Sequence, residues 1–171
     1  LKRELQNSRG SFGGECMRQL GVISIILAVV LAACAQADYA DVLVTRVFDG
    51  DTVQLANGEK VRLLGIDTPE TEYSYADQRE KRKRSPQYYQ EARRATEFLK
   101  ESVEGKRVRL EFDLEKRDKY GRLLAYVYLA DGTFVNAEII KQGYAAVMVI
   151  PPNLKYAELF QRLYQEAILL R

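Results

Sequence analysis

Three short clusters carry the chemistry open to this chain. They are Asp49-Gly50-Asp51-Thr52, then Arg62-Leu63-Leu64-Gly65-Ile66-Asp67-Thr68-Pro69-Glu70-Thr71, then Asp118-Lys119-Tyr120-Gly121-Arg122. Together they supply carboxylates and two arginines, the groups that hold a hard cation and a phosphodiester side by side. The chain has no histidine. That removes the usual acid–base side chain of neutral pH and the commonest transition-metal ligand. Hydrolysis here must run on carboxylate, arginine and water activated by a metal ion.

Asp51 follows a glycine turn and Asp67 ends a strand, beside Thr68-Pro69. Singly, each reads as an ordinary turn former. As a pair at strand ends in neighbouring hairpin arms, they can converge on one ion. Arg62 shares strand parity with Leu64 and Ile66, and the opposite parity (Val61, Leu63, Gly65) is apolar as well. A strand covered on both faces leaves its arginine in need of a partner, either an aspartate or a phosphate gripped by both arms of the guanidinium. Arg122 follows a Tyr-Gly turn at a strand start and by itself reads as a surface arginine. Glu70 lies three residues after Asp67, behind a proline that fixes the chain direction. It reads as an exposed loop glutamate or as the group that takes a proton from activated water.

Local patterns indicate the elements that position these residues. Val42–Phe48, Thr52–Leu55, Lys60–Ile66, the alternating run Arg107–Phe112 and Leu123–Leu129 read as strands, with a hairpin turn at Ala56-Asn57-Gly58. Val147–Ile150 is a further short strand, stopped by Pro151-Pro152. One helix begins at Ser85-Pro86 and stops near Gly105, presenting Tyr88, Ala92, Ala95 and Leu99 on one face. A second runs from about Val135 to Gln142. A third runs from about Lys155, with Tyr156, Leu159, Phe160, Leu163, Tyr164 and Ala167 at helical spacing, which makes these tyrosines core residues. The expected class is α+β, a five-stranded barrel of the OB type with three helices.

In their order and separation, D-G-D-T, R-L-L-G-I-D-T-P-E-T and D-K-Y-G-R-x-L-A-Y resemble the staphylococcal-nuclease-like (thermonuclease) family, over about residues 41–165. The resemblance implies an OB-type barrel and calcium-dependent hydrolysis of DNA and RNA to 3′-phosphate and 5′-hydroxyl ends. It implies Asp51, Asp67 and the Thr68 carbonyl as calcium ligands, and Glu70 as the residue that orients or deprotonates water. Arg62 and Arg122 would hold the reacting phosphate, and Lys119 and Tyr120 would touch a neighbouring one. Asp49 and Asp118 would be supporting, turn-stabilising carboxylates. Two departures stand out. The family's nucleotide-flanking tyrosines are missing from Val147–Asn153, and the segment before the first helix carries Tyr73, Tyr75 and the basic run Arg79–Arg84. That segment reads either as a solvated loop or as a basic arm along a nucleic-acid backbone. The competing readings are a non-catalytic OB-type nucleic-acid-binding module and a calcium-stabilised surface domain.

The formal charge of +2 resides in residues 1–34, where Lys2, Arg3, Arg9 and Arg18 outnumber Glu4 and Glu15. The remainder is balanced, so positive potential for a nucleic acid must be local. Met17-Arg18-Gln19 followed by the apolar run Leu20–Ala33, 14 residues long, reads as an export leader, too short for the roughly 20 residues of a membrane span. Ala35-Gln36-Ala37 fits signal cleavage before Asp38, whereas Leu31-Ala32-Ala33-Cys34 fits a lipobox with lipidated Cys34. The expected division is an upstream extension and leader over 1–37 and one domain over 38–171. The expected location is outside the cytoplasm, secreted, periplasmic or lipid-anchored. The only other cysteine, Cys16, lies upstream, so no disulfide is expected in the mature domain, and a monomer is the default.

Overall fold

The structure is a computed structural model that describes residues 39–71 and 85–170. The leader with Cys34, and the segment with Tyr73, Tyr75 and Arg79–Arg84, lie outside the described residues. The elements are β1 (Val42–Val47), β2 (Thr52–Leu55), β3 (Lys60–Leu63), β4 (Gly65–Asp67), α1 (Pro86–Val103), β5 (Arg107–Arg117), β6 (Leu123–Leu129), α2 (Val135–Lys141), β7 (Ala146–Met148) and α3 (Ala157–Leu169).

Five strands close into a barrel in the order β1-β2-β3-β6-β5. Antiparallel hairpins build most of it, and β1 meets β5 through Val42↔Val108 and Leu43↔Arg107. One seam is parallel: β3 lies on β6 with Val61↔Leu123, Arg62↔Leu124 and Leu63↔Ala125. The alternating side chains Val44, Val53, Val61, Leu63, Val108, Leu110, Ala125 and Val127 fill the interior. This is the α+β, OB-type barrel with three helices expected from the sequence.

Helix α1 starts where its cap residue dictates, with the Ser85 hydroxyl accepting a hydrogen bond from the Tyr88 N–H at 3.2 Å. Its buried stripe is Ala92, Ala95, Leu99 and Val103. Tyr156 stands just ahead of α3, packed edge-on to Tyr126 at 4.6 Å, its hydroxyl donating to Glu111 at 2.9 Å. Its ring belongs to the aromatic cluster that ties α3 to the barrel.

Two strand expectations need correction. Lys60–Ile66 is not one strand: it breaks at Leu64, because Gly65 takes a left-handed backbone (φ 78°). Leu64 N–H still bonds Ala125 in the barrel, but its carbonyl accepts from the Asn136 amide at 2.9 Å. The Asn136 carbonyl in turn accepts from Val127 N–H, also at 2.9 Å. Val147–Ile150 is also displaced: the strand is Ala146–Met148 and lies outside the barrel, pairing with β4 alone. The break thus hands the chain from the barrel to a two-stranded side sheet that carries Asp67.

Gly65 is required twice over. A Cβ there would sit 2.3 Å from the ring of the buried Phe160. Gly65→Ala is expected to destabilise the fold by roughly 2–5 kcal/mol, about 1–2 from the left-handed backbone and about 1–3 from overpacking. A urea midpoint unchanged by the substitution would show that the break does not depend on glycine.

Candidate active site

The acidic turn between β1 and β2 is shaped by contact with α1. The Asp49 carboxylate accepts the Asp51 N–H at 3.1 Å, closing the turn on itself. Gly50 leaves no room for a side chain, since a Cβ would fall 2.7 Å from the Thr68 hydroxyl and 2.8 Å from Ala95. This close approach seats Asp51 against Thr68. One Asp51 oxygen accepts the Thr68 N–H at 3.0 Å and the Thr68 hydroxyl at 3.1 Å, and the other accepts the Thr52 hydroxyl at 3.1 Å.

Arg62 stands at the centre. Its guanidinium makes ion pairs with Asp51 and Asp67, each at 3.0 Å. It also donates to the carbonyls of Leu63 at 3.1 Å and Ile66 at 2.9 Å. The break at Leu64 makes this possible, by curling Ile66 and Asp67 back around the guanidinium. The covered arginine of the sequence has therefore found aspartates, two of them, and it remains 12% exposed at the side chain.

Asp118 organises the third cluster. Its carboxylate accepts the backbone N–H of Tyr120 at 2.9 Å and of Arg122 at 3.0 Å, and the Arg122 Nε at 2.7 Å. The Tyr120 ring is 73% exposed, with the Lys119 ammonium 5.1 Å and the Arg122 guanidinium 5.6 Å from its centre. The parallel seam relates this cluster to Arg62. Leu124 is the register partner of Arg62, and Arg122 lies two residues before it. Strand alternation puts both arginines on one face, with Cα atoms roughly 8 Å apart at ordinary strand spacing and rise. That separation suits two guanidinium groups reaching toward one phosphate.

The carboxylates crowd each other. Burial first, then the charge of Asp51 and that of Glu70, push Asp49 up to about 7. Partial burial also raises Asp67 against the pull of Arg62, and Asp51 adds to the rise. Burial works against ionisation of Asp118 too, but the hydrogen bonds from Arg122 and Tyr120 outweigh it and hold this carboxyl below its ordinary value. The acidic turn is thus short of positive charge, while the Asp118 turn is well supplied.

No group of three or more acidic, histidine or cysteine side chains among the described residues could hold a metal ion. The donor set is smaller: two carboxylates, Asp51 and Asp67, of the kind a hard cation takes, each pairing through one oxygen with Arg62. A cation here would offset the burial and the neighbouring charge that raise Asp49 and Asp67. Glu70 is exposed, and its backbone N–H donates to the Tyr88 hydroxyl of α1 at 2.9 Å.

Two features escape a reading of the sequence. Asn136 is fully buried and fixes the Leu64 carbonyl at the break between Arg62 and Asp67. Its only signal is a polar residue on an apolar helix face. A cleft of about 620 Å³ also opens beside Asp67, Thr68 and Pro69, lined by Tyr88, Tyr144 and Tyr164 from three separate segments.

Fold and site together define an OB-type barrel carrying a carboxylate–arginine centre on one face. Residues 60–169 match the family described as "Staphylococcal nuclease homologue", and the chain belongs to it. It is 44% identical to the thermonuclease of Staphylococcus intermedius over 128 residues, which covers 73% of this chain and 70% of that one. It is 34% identical to the thermonuclease of Staphylococcus hyicus over 139 residues, covering 80% and 76%. It is 42% identical over 135 residues to an SPbeta prophage-derived endonuclease of Bacillus subtilis strain 168, covering 76% of this chain and 42% of that longer protein.

Proposed function

We propose that the protein is a nuclease, a calcium-dependent phosphodiesterase that hydrolyses DNA, RNA or both to 3′-phosphate and 5′-hydroxyl ends. The observation that carries this reading is the Arg62 guanidinium held between Asp51 and Asp67, with Arg122 at the entry to the neighbouring parallel strand. Thermonuclease and endonuclease relatives support the activity class. Asp51, Asp67 and the Thr68 carbonyl would hold the cation. When bound, it would offset phosphate charge and make water more acidic.

The chain's own residues do the rest. Arg62 and Arg122 bind the non-bridging oxygens and oppose the charge that builds on them. Glu70, at the open edge of the site, accepts the proton of the attacking water. Lys119 and Tyr120 contact an adjacent phosphate. Asp49 holds the turn that aims Asp51, and Asp118 holds Arg122.

Acid-soluble nucleotide released from single-stranded DNA tests this reading, with calcium and with a chelator. Release is expected with calcium and is expected to vanish with chelator. Strand binding without release, in protein that also binds calcium, would favour the non-catalytic binding module, which the lack of aromatics in Val147–Asn153 would fit. We further propose that the protein is exported on its residue 17–37 leader, whether cleaved before Asp38 or lipidated at Cys34. The mass of the mature N-terminal peptide distinguishes the two.

A further inference from the structure

We propose that the cleft beside Asp67 is a subsite for one nucleotide next to the scissile phosphate, with its base on the tyrosines and its outer phosphate on Arg94. This rests on the nuclease reading above. The cleft shares a wall with the site, through Asp67, Thr68 and Pro69. Its volume of about 620 Å³ lies in the range of small-molecule sites, roughly 300–1,000 Å³.

The lining has the chemistry of single-strand binding. Tyr88, Tyr144 and Tyr164 bring flat aromatic faces, on which any base stacks. Tyr144 is already braced against Phe98, ring centres 5.2 Å apart, so stacking would order little that is not ordered already. Tyr88, Glu91 and Arg94 recur at every third residue and share one side of α1. Arg94 is exposed and makes no ion pair among the described residues, unlike Arg62 and Arg122. It is therefore available to a phosphate. Glu91 repels a phosphate from the cleft itself, which leaves the interior to a base.

The Val147–Asn153 stretch has no aromatic residue, whereas this cleft collects three from the first helix, the α2–β7 link and the last helix. Occupancy would be felt at the site, because the Tyr88 hydroxyl accepts the Glu70 N–H.

The test follows cleavage at one central linkage of a single-stranded hexanucleotide, and of matched strands lacking the base on one or the other side of it. Tyr144→Leu is expected to lower kcat/KM for the intact strand roughly tenfold, within the range of one base–aromatic stack. It should leave unchanged the strand that lacks the base on the cleft side. An equal loss on all three strands, or none, overturns the proposal. Arg94→Gln, on the helix surface, covers the event that Tyr144→Leu fails to fold. It should reduce the slope of log Kd against log salt for the same hexanucleotide by about 0.7. An unchanged slope overturns the phosphate contact. A wild-type protein that binds the strand but cuts none of the three would defeat the nuclease reading instead, and the same base dependence, read as Kd, would still decide the subsite.

Discussion

Arg62→Leu is expected to cost about 3–5 kcal/mol of folding stability, the usual penalty for stripping one partner from a buried ion pair. The Asp51 side chain is only 8% exposed and would be left with no cation beside it. Its three remaining hydrogen bonds, from Thr52 and Thr68, place the loss toward the lower end. Arg62→Leu combined with Asp51→Asn should recover most of the stability, because no buried charge is then left unpaired. It should recover none of the turnover. Arg62→Lys should fail as well, since one ammonium cannot reach Asp51, Asp67 and two carbonyls in the fixed fork of a guanidinium. In each variant kcat is expected to fall about 10²–10³-fold, as when a donor to developing negative charge is removed elsewhere. Urea midpoints and single-strand cleavage rates give the two readings separately. A midpoint within 1 kcal/mol of wild type for Arg62→Leu would mean that Asp51 is hydrated rather than buried.

Glu70→Gln should do the opposite: a large loss of rate with the fold untouched. The side chain lies at an exposed loop, and the backbone N–H to Tyr88 survives the change. What disappears is the proton acceptor, worth about 10²–10⁴ in rate. Strand binding and calcium binding should hold at wild-type strength. If Glu70→Gln keeps more than a tenth of the activity, another base must be sought. Asp49, raised to about 7 and already sensitive to the Glu70 charge, is the first alternative.

The sequence revealed what depends on local pattern. Ser85-Pro86 starts a helix because capping and a fixed proline φ are properties of neighbouring residues. Arg62 could be recognised as unusual because its strand was apolar at both parities. The break after Leu63 was not visible, since R-L-L-G-I-D keeps the composition of one buried strand and the sign of φ at Gly65 leaves no trace in hydrophobicity. Asn136 gives no local signal of this role for a related reason: its two partners, Val127 on β6 and Leu64 at the β3–β4 break, lie outside its own helix and far from each other in sequence. The cleft was invisible because its three tyrosines come from distant segments, and periodicity assigned Tyr164 to the core. Contacts between elements set all of these, and a local pattern carries no record of them.

The parallel seam has a consequence in time. Arg62 and Arg122 come to neighbouring positions only when β3 lies on β6, a pairing between residues 61–63 and 123–125. Such a contact closes a long loop and forms late, after its entropy has been offset by the hairpins on either side. No fragment ending before β6 can align the two arginines, and no partly folded chain with an open seam can either. A nascent chain would therefore be inert toward the nucleic acids around it, and activity would switch on with barrel closure. The order in which the strands pair would by itself keep the unfinished chain from cutting nucleic acid.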